Sequence, residues 1–244
     1  MKMNTIEAEN LGISFKASRR GKANLQDVVA GMFGNKQDKA GTFWALRGIS
    51  FKLEKGEILG IVGRNGSGKS TLLRTIGGIY SPDEGRIEVH GKVSTLFSTT
   101  AGFQPELSGI ENIYLNGILL GLSSKEVDEL LDSIVDFAEL GNFINMPVRT
   151  YSSGMYARLG FSIAVNVKGD ILLIDEILGA GDAKFNQKTR QKMEELLREG
   201  RTIVLASHNM DVLSKFADRV IWLDQGKAVA QGRPEEVIPQ YLGS

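Results

Sequence analysis

The stretch Gly63-Arg64-Asn65-Gly66-Ser67-Gly68-Lys69-Ser70 places glycines, a lysine and a hydroxyl residue in the spacing G-x-x-x-x-G-K-[ST], a combination suited to holding phosphate groups. Glycines let backbone N–H groups turn inward around phosphate oxygens, and a helix opening at the end of the stretch adds the positive end of its dipole. Lys69 reaches toward β- and γ-phosphate oxygens, Ser70 offers a hydroxyl to Mg2+, and Thr71 follows into the helix. A nucleotide loop also needs a carboxylate at the end of a neighbouring apolar strand to hold the metal. Ile171-Leu172-Leu173-Ile174-Asp175-Glu176 supplies it. Asp175 is assigned to the Mg2+ shell, through water, and Glu176 to orienting and deprotonating an attacking water. Neighbours on a strand point oppositely, so the two carboxylates can serve different tasks.

These residues need elements to position them. Glu57–Val62 reads as a strand feeding the glycine loop, Ser70–Ile76 as the helix leaving it, ended by Gly77 and Gly78. Before them, the first ten residues and Ile49–Leu53 read as strands, with a short amphipathic helix at Asn24–Phe33 (Leu25, Val28, Val29, Met32) after the basic break Ser18–Lys22. Ile87–Val89 and Val93–Phe97 are short strands. From Ile110 to Phe143 the chain reads helical, with Ser123 or Ser124 capping a run of Val127, Leu130, Leu131, Ile134 and Val135. A helix at Ala157–Val167, a strand at Ile171–Ile174, a helix near Asn186–Arg198 and a strand at Thr202–Ala206 follow. Strands alternating with helices predict an α/β core with a largely parallel sheet, into which the helical segment is inserted. Val220–Leu223 and Lys227–Ala230 predict a hairpin, and Pro234 opens a last helix.

Composition narrows the function classes. The 244 residues, 42% hydrophobic and 24% charged, describe a globular chain rather than a disordered one. No apolar run approaches the roughly 18 residues that cross a bilayer, and Met1–Asn10 lacks the apolar core of a secretory signal, so a cytoplasmic chain is expected. With no cysteine and only His90 and His208, any metal sits on oxygen ligands. Lysine plus arginine balances aspartate plus glutamate at 29 each, which gives no sign of a nucleic-acid partner. Glycine, at 29 residues, is the outlier, in keeping with a phosphate loop.

At these motifs the sequence resembles the ATP-binding cassette (ABC) ATPases, over nearly all of the chain from Glu7 to Gln231. Tyr151-Ser152-Ser153-Gly154-Met155 stands where that family has its signature, most often L-S-G-G-Q; Ser152 and Gly154 match. A serine hydroxyl, exposed N–H groups and a helix N-terminus make an anion site there in any case. The resemblance implies that this site binds the γ-phosphate held by an opposite subunit. It matches His208 to the switch histidine, which contacts the γ-phosphate and the attacking water, and Gly179–Asp182 to the loop lying across the dimer, with Asp182 its polar contact. For the glutamine that touches Mg2+, counting back from Pro105 gives Thr99, while Gln104 is the nearest glutamine. The adenine-stacking aromatic matches Phe15 best, with Phe43 and Trp44 as alternatives. The implied fold is a P-loop NTPase core with an antiparallel β subdomain and an inserted helical subdomain: 1–98 as the β subdomain and phosphate-loop part, 99–168 as the helical part with the signature, and 169–244 as the rest of the core.

Phe43-Trp44-Ala45-Leu46, Ala101–Gly109 followed by Glu111–Asn116, the Tyr151–Met155 stretch and Ile177–Asp182 look like the ATPase subunits of bacterial polysaccharide exporters, which export O-antigen, teichoic acid or capsule. The resemblance then implies ATP and Mg2+, and a second copy of the chain arranged head to tail. It also implies a separate transmembrane permease, a polysaccharide substrate contacted indirectly, and a place on the cytoplasmic side of the inner membrane. The C-terminal carbohydrate-binding domain that some O-antigen members carry is not expected within this sequence. The partner's coupling helix is expected beside Thr99–Gly109, and segment 21–42 is expected to touch the partner or a lipid-linked substrate. Importer-type and soluble non-transport ABC ATPases are the alternatives.

Overall fold

Apolar residues on alternate sides of a few short strands determine the architecture. The structure is a computed structural model and describes residues 4–16, 42–96, 100, 102–175 and 183–244. The strands are β1 (Asn4–Lys16), β2 (Thr42–Glu54), β3 (Ile58–Val62), β4 (Glu84–Val89), β5 (Val93–Thr95), β6 (Ile171–Asp175), β7 (Thr202–Ala206), β8 (Arg219–Asp224) and β9 (Lys227–Gly232). The α-helices are α1 (Lys69–Ile76), α2 (Gly109–Leu119), α3 (Ser124–Ala138), α4 (Ser153–Asn166), α5 (Ala183–Arg198), α6 (Met210–Phe216) and α7 (Pro234–Leu242).

A six-stranded sheet runs β5-β6-β7-β3-β8-β9, parallel except for β9. Its central strands β3 and β7 are buried at every residue, as strands covered on both faces must be. The two-residue period decides which cluster each side chain joins. Leu59, Ile61, Leu173, Val204 and Ile221 face α1 and the β1–β2 layer. Ile58, Val62, Leu172, Ile174, Ile203 and Leu205 face α5, α6 and α7. Gly60 lets α6 close on that second face, since a Cβ there would lie 2.8 Å from Leu213 Cδ2.

A second, antiparallel sheet of order β2-β1-β4 covers the first face. β1 and β2 are each 13 residues long, well beyond the expected Ile49–Leu53 for β2. Long-range pairing down to Lys16 and Thr42 extends them, and a single strand's periodicity does not reveal that.

Helices α2, α3 and α4 pack around a third cluster drawn from residues 103–167, including Phe103, Ile113, Val127, Ile134, Leu159 and Ile163. Two capping boxes start the first two helices: Ser108 with Glu111, and Ser123 with Glu126. Ser123, rather than Ser124, is therefore the cap of α3. Helix α4 begins at Ser153, four residues before the expected Ala157, because the Ser152 hydroxyl accepts from Met155 N at 3.2 Å. Similarly α5 opens at Ala183 rather than Asn186. The helix expected at Asn24–Phe33 lies outside the described residues.

Candidate functional site

Three neighbouring strands end side by side at the carboxyl edge of the parallel sheet, the place where open α/β sheets bind ligands. Asp175 ends β6, Ala206 ends β7, and Val62 ends β3 and leads into the glycine loop. Ala206 is level with Asp175 on one side and with Ile61 on the other. The expected phosphate loop, acidic strand end and histidine turn thus emerge at one height.

The loop keeps its shape through close backbone packing. Gly63 has φ 153°, and a Cβ there would lie 2.2 Å from Leu223 O and 2.5 Å from Ser67 Oγ. Gly68, at φ 109°, forms the left-handed N-cap of α1. From behind, the hairpin turn supports the loop: Gly226 N donates to Ser67 O at 3.0 Å, and Arg47 N donates to Gly226 O at 2.8 Å. Lys69 is buried, and its ammonium donates to Gly63 O at 2.7 Å and to Arg64 O at 3.1 Å. Arched across its own loop, the ammonium concentrates positive charge where the amides converge. The Ser67 hydroxyl is buried there and has no hydrogen-bond partner among the described residues.

An open cleft of about 420 Å³ lies over this loop. Asn65, Gly66, Gly68, Lys69, Ser70 and Thr71 of the loop and helix start line it, together with Asp175 and His208. His208 is exposed on the turn between Ser207 and Asn209, and Asn209 caps α6 by accepting from Asp211 N at 3.0 Å and Val212 N at 3.2 Å. The cleft also has an aromatic lining: Phe15 and Phe43 both line it and are partners across β1 and β2. Phe15 packs edge-on against Tyr80, with ring centroids 5.4 Å apart. Trp44 does not line the cleft; its ring carries the Arg47 guanidinium at 4.7 Å. Gly63, Arg64 and Ser67 do not line the cleft.

The donor set suits a hard divalent cation. Ser70 supplies a hydroxyl and Asp175 a carboxylate in one cleft, both oxygen ligands. Among the described residues no three histidine, cysteine or acidic side chains cluster as a metal centre; Ser70 and Asp175 are the groups that would hold a Mg2+ in the cleft. Glu176, Asp182 and Thr99 lie outside the described residues.

A sequence model of the ABC transporter family matches residues 46–179, more than half of the chain. This chain belongs to the ABC transporter family. Among its curated relatives, the teichoic acids export ATP-binding protein TagH of Lactococcus lactis is 46% identical over 97% of the cassette and 50% of its own length. The O-antigen export system ATP-binding protein RfbB of Myxococcus xanthus is 48% identical over 88% of the cassette and 49% of its own length. The RfbB protein of Klebsiella pneumoniae is 44% identical over 83% and 82% respectively. The chain spans about half the length of the first two relatives. In fold it is similar to an ATP-binding subunit of an ABC transporter, with a TM-score of 0.72 over 97% of this chain and 93% of the other at 20% identity. A dimeric cassette bound to ADP and Pi scores 0.71 over 94% and 98% at 24% identity. The fold is thus the α/β ABC ATPase fold with its antiparallel sheet and helical segment.

In this cassette Ser152, Ser153 and Gly154 open α4, with both serines exposed, and none of the three lines the cleft of the same chain. Tyr151 anchors the stretch from beneath, its hydroxyl donating to Phe143 O at 2.8 Å, and burial pushes that hydroxyl's pKa up. Sequence reasoning missed Asn112. Fully buried on α2, its amide nitrogen donates to Gln104 O, Leu107 O and Ser108 O at 2.9–3.1 Å, while its oxygen accepts from Gln104 N at 2.7 Å. One side chain thereby fixes the loop from 104 to 108 and leaves the Gln104 side chain exposed. Its only sequence signal is an asparagine four residues after the Ser108 cap, on the buried face of a helix.

Proposed function

We propose that the chain is the ATP-hydrolysing, nucleotide-binding part of an ABC transporter that exports a cell-surface polysaccharide, lipid-linked in form. The observation that carries the reading is the single cleft in which Lys69, Ser70, Asp175 and His208 meet two aromatic rings. The names of the relatives, teichoic acids export and O-antigen export proteins, support the substrate class.

In this reading the loop amides of 63–71 and the Lys69 ammonium bind the ATP phosphates. Phe15, with Phe43 facing it across the strand pair, stacks the adenine. Ser70 and Asp175 would hold Mg2+, with Thr99 or Gln104 beside it, and the ion would supply positive charge to the β- and γ-phosphate oxygens. Glu176 takes the proton of the attacking water as the new bond to Pγ forms and the bond to the β-bridging oxygen breaks, leaving ADP and phosphate. His208 holds that water and the γ-phosphate in line.

Because Ser152, Ser153 and Gly154 lie away from the cleft of their own chain, they reach a γ-phosphate when a second copy packs head to tail, with Asp182 lying across the same interface. ATP then bridges the two copies, and its hydrolysis removes the bridge. Among the described residues no helix is long and apolar enough to cross a membrane; in this reading a separate permease supplies the translocation path. The chain works beside it on the cytoplasmic face of the membrane.

Purification of the tagged chain from membranes in mild detergent, with partners identified by mass spectrometry, tests this reading. The expected result is a membrane-spanning subunit and ATP turnover that responds to lipid-linked glycan. Recovery from the cytosol with ribosomal or DNA-processing factors would contradict it.

A further inference from the structure

Three helices meet at a charged and aromatic junction outside the cleft. Lys188 of α5 donates to Phe137 O at 3.1 Å, Asp136 O at 3.3 Å and Glu139 Oε1 at 2.8 Å. Its ammonium also lies 4.5 Å from the centroid of the Phe137 ring. The last carbonyls of a helix lack partners within the helix and carry the negative end of its dipole, so one ammonium satisfies several needs at the end of α3. Glu139 closes that helix in the left-handed conformation, with φ 51°, and has Lys184 Nζ at 3.8 Å. The Lys188 hydrogen bond, with added charge from Lys188, Lys184 and Arg158, holds the Glu139 carboxyl below its ordinary value.

Beneath the charges the rings of Phe137 (α3), Phe161 (α4) and Phe185 (α5) form a triangle, with centroids 5.9, 5.8 and 6.3 Å apart. The Arg158 guanidinium of α4 lies 4.8 Å over the Phe185 ring. Each helix therefore contributes a ring and a charged group. The positions along the helices matter as much as the contacts. Arg158 lies in the first two turns of α4, which opens at Ser152–Gly154, and Phe185 and Lys188 lie in the first two turns of α5, which directly follows the segment containing Glu176 and Asp182. None of the junction residues lines the nucleotide cleft.

We infer that the junction of Glu139, Lys188 and the Phe137, Phe161 and Phe185 rings is a positioning device, which ties the Ser152–Gly154 end of α4 to the start of α5, the helix that follows Glu176 in the chain. The inference rests on the ATP-hydrolysing reading above. Ser152–Gly154 serves the nucleotide of the opposite copy and Glu176 that of its own, so both must arrive together for turnover. A firm junction moves them as one unit; a slack one lets either arrive alone. Capture of nucleotide by β3, α1, Asp175 and His208 does not pass through the junction.

Lys188→Met keeps the aliphatic stem over Phe137 while removing the charge and the donors, and Glu139→Gln weakens the same contact from the other side. Both variants, with Lys188→Arg as the conservative control, would be compared in the full chain by steady-state ATP turnover, by the dissociation constant for a fluorescent ATP analogue, and by amide hydrogen exchange without nucleotide. The expected result is a kcat lowered about tenfold, with KM and nucleotide affinity changed by less than about twofold, and with Lys188→Arg close to the parent. Exchange in residues 153–158 and 183–188 should quicken together in Lys188→Met, or in Glu139→Gln if the former does not fold. Unchanged exchange in either stretch, an unchanged kcat, or a kcat lost in step with nucleotide affinity would overturn the inference. A parent chain with no turnover, but with coupled exchange in the variants, would overturn the ATPase reading and leave the mechanical tie standing.

Discussion

At the scale of single residues, the cleft separates groups that bind from groups that shape. Gly63 shapes: a methyl group there would meet Leu223 O and Ser67 Oγ at 2.2 and 2.5 Å. Gly63→Ala is expected to destabilise the fold by about 2–4 kcal/mol through strain and overpacking, read by denaturant titration. The aromatic wall gives a sharper discrimination. Phe15 and Phe43 line the cleft whereas Trp44 does not, so Phe15→Ala and Phe43→Ala should each weaken ATP binding by about 1–3 kcal/mol, the value of a stacked base. Trp44→Leu should leave nucleotide affinity unchanged; isothermal titration of the three variants checks this. The phosphate loop was legible in the sequence because its chemistry is contiguous, eight residues whose spacing is itself the mechanism. Which aromatics line the cleft was legible in part: Phe15 was favoured, but that Phe43 joins it and Trp44 does not follows from a pairing that bridges more than 20 residues outside the described structure.

At the scale of elements, the helical segment depends on polar contacts to backbone. Asn112 holds four backbone groups of the 104–108 loop. Asn112→Leu strands those groups and is expected to cost about 2–4 kcal/mol, with faster hydrogen exchange concentrated in that loop. The two capping boxes give a pH dependence. Backbone hydrogen bonds from Ser108 and Ser123 lead in lowering the pKa of Glu111 and Glu126 below the ordinary 4.5. A carboxyl depressed in the folded state contributes stability that is present above its unfolded pKa and lost as pH falls through its folded one. Acidification from pH 6 to below 4 should therefore loosen the starts of α2 and α3, and a Ser108→Ala, Ser123→Ala double variant should show less of that pH dependence in amide exchange. Of these two starts the sequence marked that of α3, with Ser123 and Ser124 left to be separated by geometry, whereas the Ser108 cap of α2 was read only from the structure. The early start of α4 was hidden because Gly154 sits in its first turn, where composition suggests a loop. The roles of Asn112 and Lys188 were hidden because both act on carbonyls, which every residue possesses and no sequence marks.

At the scale of the whole molecule, the largely parallel sheet was legible from strand-helix alternation, whereas its strand order was not, and β1 and β2 took their full length from each other. The proposed catalytic unit is larger than the chain, since Ser152–Gly154 does not line the cleft beside Lys69. Ser152→Ala and Gly154→Asp are accordingly expected to cripple turnover while sparing nucleotide binding by the monomer, as separate titrations of binding and phosphate release would show. The most direct test of the account is the solution mass of Glu176→Gln with saturating Mg2+ and ATP, measured by light scattering after size exclusion. The account predicts ATP retained, hydrolysis nearly abolished, and a stable dimer that Gly154→Asp abolishes in the same background. A Glu176→Gln chain that stays monomeric with ATP bound, or that turns ATP over at the parent rate, would contradict it.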